Sequence, residues 1–141
     1  MLKVTCALII NDQKLLITQN SPESDHPFKW EFPGGKIKQG EDKDHCIIRE
    51  IKEELNISIS VIRRLKPVVF DYGFKKIELI PFLCQIQSGI LQLKEHVDFK
   101  WIVFSDLKVT DFSGADRNLI NEKHNIKILK KYIGEQMNDT G

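Results

Sequence analysis

Between Asp42 and Leu55 the apolar residues Ile47, Ile51 and Leu55 recur every four positions, with Ile48 beside them, and runs patterned for β-strands lie on either side. A helix with one apolar stripe must bury it, and the flanking strands supply the surface, so the chain is confined to the α/β class. Asp42 stands where a side chain caps the first turn. Asn56 closes the helix, as the commonest substitute for Gly in a left-handed ending. With 141 residues, 41% of them hydrophobic, there is material for one packed domain.

The remaining pattern fills in that class. Val4 to Ile10 and Lys14 to Thr18 read as a hairpin through the turn Asn11-Asp12-Gln13. Ser21 to Pro27, with two prolines, reads as a loop, and Trp30 to Phe32 is a short apolar segment running into Pro33-Gly34-Gly35, where glycines are expected to interrupt regular structure. Ile57 to Phe70, broken near Arg63-Arg64, and Ile77 to Ile86 are longer strands joined by a turn around Asp71-Tyr72-Gly73. Phe99 to Phe104 is a further strand after Leu91 to Leu93. Ala115 to Ile133 carries one amphipathic helix on Leu119, Ile120, Ile126, Leu129 and Ile133. These elements predict helices packed on a mixed sheet in a single domain over 1–134, with a frayed tail at 135–141.

Charge and composition exclude several function classes. Twenty-one Lys and Arg against twenty Asp and Glu leave a net charge of +1, so no global field draws the chain to a nucleic acid polymer or a membrane surface. No stretch approaches the roughly 20 apolar residues of a membrane span, and the first residues lack the order of a signal peptide, which makes a cytoplasmic location the default expectation. Cys6, Cys46 and Cys84 are odd in number and lie in apolar runs, which predicts buried thiols rather than a disulfide framework or a zinc site. His26, His45, His96 and His124 show no recognisable catalytic partner and read as incidental polar residues.

The chemistry concentrates between Gly34 and Ile57. Glu41 follows Gly35 by six residues, and Arg49-Glu50 and Glu53-Glu54 follow on the helix. Glu50 lies one turn below both Glu53 and Glu54, so helical geometry lets the three converge as hard oxygen ligands suited to magnesium. An ordinary alternative is a solvated helix face in which Arg49 and Glu53 pair and Lys52 softens the acidic charge. Spacing decides between them: at residue frequencies of about 5–7% each, six fixed positions match somewhere in such a chain only on the order of a few times in a million.

Gly35 through Glu41, and Arg49-Glu50-Ile51-Lys52-Glu53-Glu54-Leu55-Asn56-Ile57, resemble the signature of the Nudix hydrolases. Every fixed position agrees except Asn56, which stands where the family has Gly. The resemblance implies a mixed β-sheet sandwiched between α-helices (α/β/α) and a hydrolase that uses Mg2+, with Mn2+ as a substitute. It implies Glu50, Glu53 and Glu54, with the carbonyl of Gly34, as metal ligands, Arg49 orienting Glu50, and Glu41 bracing the loop from behind. Water is the implied nucleophile.

A finer resemblance is to the MutT and CTP pyrophosphohydrolase branch, which cuts nucleoside triphosphates to monophosphate and pyrophosphate. Trp30 to Ile37, including Phe32 and Lys36, is similar to the strand entering that branch's motif. Glu95, six residues before Trp101, resembles its second acidic site and would bind a further metal or activate water. Asp116, in Asp111-Phe112-Ser113-Gly114-Ala115-Asp116, matches the residue that reads the nucleobase edge, with a dipole-favoured first-turn Asp as the plain alternative. Tyr72 and Phe74 are candidates to stack on a base. Asn20 departs from the pattern, because the branch has a phosphate-gripping Arg there; Lys36 or Lys29 would have to compensate.

Candidate substrates are 8-oxo-dGTP, as in nucleotide-pool repair, and CTP or a modified dCTP. ADP-ribose or a dinucleoside polyphosphate is the alternative within the family, and a non-catalytic nucleotide-binding regulatory module the alternative outside enzymes. The expected partner is a small nucleotide, with monomer and homodimer both open.

Overall fold

The computed structural model describes the backbone of residues 1–140 and the side chains of residues 1–134. Its first strand, β1 (Leu2–Asn11), is the axis of the sheet. It turns through Asp12 and Gln13, both at positive φ, into β2 (Lys14–Gln19), with Ile10 opposite Leu15. That two-residue turn needs left-handed backbone at both positions, which Asp tolerates better than most residues. Two short strands, β3 (Trp30–Glu31) and β4 (Gly34–Lys36), follow, and then α1 (Lys43–Leu55). Three longer strands, β5 (Ile57–Arg64), β6 (Val68–Asp71) and β7 (Lys76–Gly89), lead to β8 (Asp98–Ile102). A 3-10 turn at Phe104–Lys108 precedes α2 (Gly114–Asn121) and α3 (Lys123–Thr140).

The strands run in the order β3-β2-β1-β7-β5, with β4 on β1, β6 on β7 and β8 on β2. Among the described strands β1 and β7 pair in parallel, from Leu2 opposite Ile77 to Ile9 opposite Cys84, and the other strand pairs are antiparallel, which makes the sheet mixed. Residues alternate faces along a strand, and the alternation in β1 sorts the core into two. Ala7 and Ile9 pack with Ile47, Ile51 and Leu55 of α1; Cys6, Leu8 and Ile10 pack with Leu119 and Ile120 of α2 and with Ile128, Leu129 and Ile133 of α3. Burying each large apolar side chain of α1 contributes roughly 1.5–3 kcal/mol, so a charged residue at Ile51 would undo that layer. The result is the expected α/β/α sandwich.

Several expectations needed correction. Gly34 and Gly35 do not interrupt regular structure but form β4, paired with Cys6 and Thr5 of β1. Glycine is required there by closeness: a Cβ on Gly34 would lie 2.0 Å from the Thr5 carbonyl oxygen. The last helix is two helices, broken where Glu122 is extended at ψ 116. Glu122 then accepts the Asn125 N–H at 2.9 Å, and buried Asn125 bonds both backbone groups of Lys66, so local polar bonding overrides a continuous apolar period. Asp42 occupies the N-cap position of α1, but its side chain makes no capping bond; Asn56 ends the helix at φ 60 as expected. The fraying expected at 135–141 lies outside the residues described in full. All three cysteines are free and buried.

Candidate active site

Gly35 brings β4 against α1. A Cβ on Gly35 would stand 2.3 Å from the Glu50 carboxyl, so the strand and the acidic helix meet only because that side chain is absent. On the helix, Arg49 organises the motif. Its guanidinium donates to Glu41 from Nε at 2.6 Å and Nη2 at 2.9 Å, and to Glu50 and Glu53 from Nη1 at 3.0 Å each. This fork holds the Glu41 carboxyl well below the usual carboxylate range, and its bonds to Glu41 first, then Glu50 and Glu53, push Arg49 above the ordinary arginine range. Glu41 also accepts the Lys38 N–H at 3.1 Å and faces His45 at 3.2 Å, so it ties the loop before α1 to the helix.

The three helical glutamates do not turn to one side as their spacing allows. Glu50 and Glu53 face Arg49, Glu53 with 55% of its side chain exposed, while Glu54 is turned inward. Among the described residues no three Asp, Glu, His or Cys side chains stand together as a ready-made metal cage. Glu54 is nevertheless the group that asks for a cation. Its Oε2 is buried with no hydrogen-bond partner, and burial, then the charges of Glu31, Glu50 and Glu95, push its carboxyl up to about 9. A carboxyl that burial and acidic neighbours keep protonated gives up that proton to a hard cation, so the donor set fits a divalent ion.

Glu95 is exposed, on a segment fastened to the end of α1 by Lys94 N–H to the Glu54 carbonyl at 3.1 Å and Gln92 N–H to the Leu55 carbonyl at 2.9 Å. The fold therefore brings Glu95 to Glu54 across forty residues of chain.

Beside these carboxylates lies a cleft of ≈ 200 Å³ lined by Glu31, Lys36, Tyr72, Lys75 and Asp116, with His26 at its edge. Asp116 is 4% exposed; Oδ1 accepts the Phe32 N–H at 2.9 Å and Oδ2 the Ser113 hydroxyl at 2.7 Å. Burial, then the charge of Glu31, outweighs those bonds and pushes its carboxyl up to about 7. Tyr72 accepts the Ala115 N–H at 2.8 Å and packs against the His26 ring at 4.3 Å, and burial raises its phenol. Phe74 stays 67% exposed.

The structure separates other expected residues from the cleft. The Phe32 side chain is in the core, 5.1 Å from the Phe112 ring, and only its N–H serves the site. Asn20 is 7% exposed, does not line the cleft, and points into its own loop, donating to the His26 carbonyl at 3.3 Å. Lys29 pairs with Asp111 at 2.7 Å, which leaves Lys36 at the cleft.

Sequence reading missed Lys75, which joins Lys36 there and holds Asp25 at 3.0 Å, and it missed Glu31. Strand alternation offered a signal for Glu31, because buried Trp30 and Phe32 flank it and turn it to the other face. Three of the four histidines have side-chain neighbours: His45 meets Glu41, His26 meets Tyr72, and His96 Nε2 lies 2.9 Å from Glu31.

Comparison with known proteins bears on the family and the fold. A family model described as NUDIX domain matches residues 1–122. The 8-oxo-dGTP diphosphatase of Buchnera aphidicola subsp. Schizaphis graminum is 31% identical over 127 residues, 90% of this chain and 96% of that protein. The CTP pyrophosphohydrolase of Escherichia coli strain K12 is 32% identical over 101 residues, 72% of this chain and 75% of that protein. Of solved structures, the solution structure of the E. coli ORF135 protein aligns with TM-score 0.74 at 28% identity over 86% of each chain. The MutT NUDIX hydrolase from Burkholderia pseudomallei aligns with TM-score 0.77 at 23% identity over 86% of this chain and 97% of that one, a likeness of fold.

Proposed function

The chain belongs to the NUDIX domain family, and from that premise we propose that it is a magnesium-dependent hydrolase of nucleoside triphosphates, releasing nucleoside monophosphate and pyrophosphate. The observation that carries this reading is the buried, unpartnered Glu54 oxygen among the charges of Glu31, Glu50 and Glu95, beside a cleft with two lysines and a buried aspartic acid. Relatives named 8-oxo-dGTP diphosphatase and CTP pyrophosphohydrolase, matched over most of the chain, support the substrate class.

Glu50, Glu53, Glu54 and Glu95, with the carbonyl of Gly34, would hold the divalent ion, Mn2+ serving in place of Mg2+. Bound there, the ion would act as a Lewis acid toward the phosphate chain. Arg49 keeps Glu50 and Glu53 aimed and Glu41 keeps Arg49 in place, so the fork resists the mutual repulsion of the acids. Lys36 and Lys75 meet phosphate as point charges, a role their place in the cleft supports. Asp116 meets the base. A carboxyl near half-protonation at neutral pH both donates and accepts, which suits the mixed donor and acceptor edge of oxidised guanine or of cytosine. Tyr72 offers a ring face at the same end of the cleft. The substrate is a free nucleotide, in the cytoplasmic pool, rather than a nucleic acid polymer.

A panel of ordinary and oxidised nucleoside triphosphates, scored for pyrophosphate against orthophosphate with magnesium and with EDTA, tests the reading. Pyrophosphate release that EDTA abolishes is expected. Orthophosphate as the first product, or hydrolysis indifferent to EDTA, would overturn it.

A further inference from the structure

His96 follows Glu95 and is turned inward, with 7% of its side chain exposed. Its Nε2 stands 2.9 Å from Glu31 Oε1, and since a carboxylate oxygen only accepts, Nε2 donates. Its Nδ1 is buried with no partner. Leaving that nitrogen unsatisfied costs stability that an apolar side chain of similar volume would keep, so packing alone does not account for an imidazole at this position.

The contact has a particular place in the fold. Glu31 belongs to β3, where Thr18 and Gln19 of β2 pair with it and with Trp30. The segment carrying Glu95 is fastened on one side by Lys94 N–H to the Glu54 carbonyl and on the other by Val97 N–H to the Gln19 carbonyl, both at 3.1 Å. His96 is the side-chain bond between those two backbone anchors. It joins the Glu95 segment to the one carboxylate whose charge is felt by both Glu54 and Asp116.

We propose that His96 is a positioning residue: its bond to Glu31 seats the Glu95 segment against α1, where Glu54 and Glu95 would meet a divalent cation together. The inference rests on the hydrolase reading above and extends it to two residues, Glu31 and His96. Without the bond, the exposed Glu95 segment keeps its backbone anchors and loses its side-chain tie to β3.

Mn2+ binding without nucleotide, followed by electron paramagnetic resonance of the free ion, tests this alongside kcat, KM and thermal midpoints. The variants are His96→Leu, His96→Gln and Glu31→Gln. His96→Leu is expected to bind Mn2+ about 10- to 100-fold more weakly and to lose kcat by a similar factor, with KM for the nucleotide changing less. His96→Gln, whose amide donates at a similar reach, should recover most of both. Glu31→Gln should resemble His96→Leu, and adding it to His96→Leu should cause little further loss, since the two act as a unit.

Wild-type Mn2+ affinity and kcat in His96→Leu would overturn the proposal. So would a His96→Gln variant as defective as His96→Leu with an equal fall in thermal midpoint, the pattern of a packing residue. A wild-type protein that binds Mn2+ and cleaves triphosphate while these variants match it defeats this inference alone; one that does neither defeats the hydrolase reading with it.

Discussion

Glu54, at the acidic helix, and Asp116, in the lining of the cleft, are two carboxyl groups that the protein holds in opposite ways. Glu54 has a buried oxygen without a partner and acidic neighbours, whereas both oxygens of Asp116 are bonded, to the Phe32 N–H and the Ser113 hydroxyl. Burial raises both, Glu54 to about 9 and Asp116 to about 7. An unsatisfied carboxyl is completed by something from outside, and a satisfied one is already fixed in direction. The first arrangement suits a cation and the second suits a ligand that must be read in one orientation. Glu31 lies between them and raises both.

The largest expected effect is at the unsatisfied end. Glu54→Gln should fold and lose at least about 100-fold in turnover, because it removes the anion a cation would need. Its metal-free form should match wild type in heat stability at neutral pH, where a carboxyl raised to about 9 is already uncharged, and exceed it only at higher pH. Unimpaired turnover at saturating magnesium would break the contrast.

Adjacent glycines sharpen it next. Gly34→Ala drives a methyl into the Thr5 carbonyl and the Cys6 backbone, which cannot give way, so a stability loss of about 3 kcal/mol or more is expected in denaturant melts. Gly35→Ala meets the Glu50 carboxyl first, the mobile end of a side chain. It should therefore cost turnover, about tenfold, while stability stays within roughly 1 kcal/mol of wild type. Equal losses of stability in the two variants would show that Gly35 is spaced for the fold and not for Glu50.

A smaller effect separates the satisfied end by pH. Asp116 has an ordinary value of 3.8 and is raised to about 7, so the native state binds its proton more tightly than the unfolded chain does. That contribution to stability is fully present below about pH 4 and is lost as pH rises through about 7. Asp116→Asn keeps the shape without the charge, so its thermal midpoint should exceed that of wild type by a few degrees at about pH 8.5 and converge with it near about pH 4. Parallel midpoint curves for the two proteins would mean that Asp116 does not titrate in this range.

What the sequence made legible was local. The α1 helix, its Asn56 ending and the β1–β2 hairpin follow from periodicity and turn chemistry within a dozen residues, and the acidic motif was recognisable by its spacing. Contacts between distant segments were not. Nothing near His96 in sequence announces Glu31, sixty-five positions away, and nothing near Asn20 shows that its amide turns back to its own loop. The break at Glu122 was hidden because apolar residues keep a helical period through it; only the bonds of Asn125 to Lys66 reveal why the chain bends. Gly34-Gly35 resembled a break because glycine has no strand preference, and the strand exists for a reason outside the segment, the nearness of β1 and Glu50.

The division of labour between the two carboxyls is tested most directly by kcat/KM for ordinary and oxidised guanine and cytosine triphosphates, measured on wild type, Glu54→Gln and Asp116→Ala. If Glu54 serves the phosphate chain, Glu54→Gln lowers every substrate by a common factor and leaves their ranking unchanged. If Asp116 reads the base, Asp116→Ala lowers the preferred substrate by about 10- to 1000-fold, from roughly 1.5–4 kcal/mol of lost hydrogen bonding, and flattens the ranking while slow cleavage persists. A Glu54→Gln variant with an altered base preference, or an Asp116→Ala variant with the wild-type ranking intact, would contradict the account.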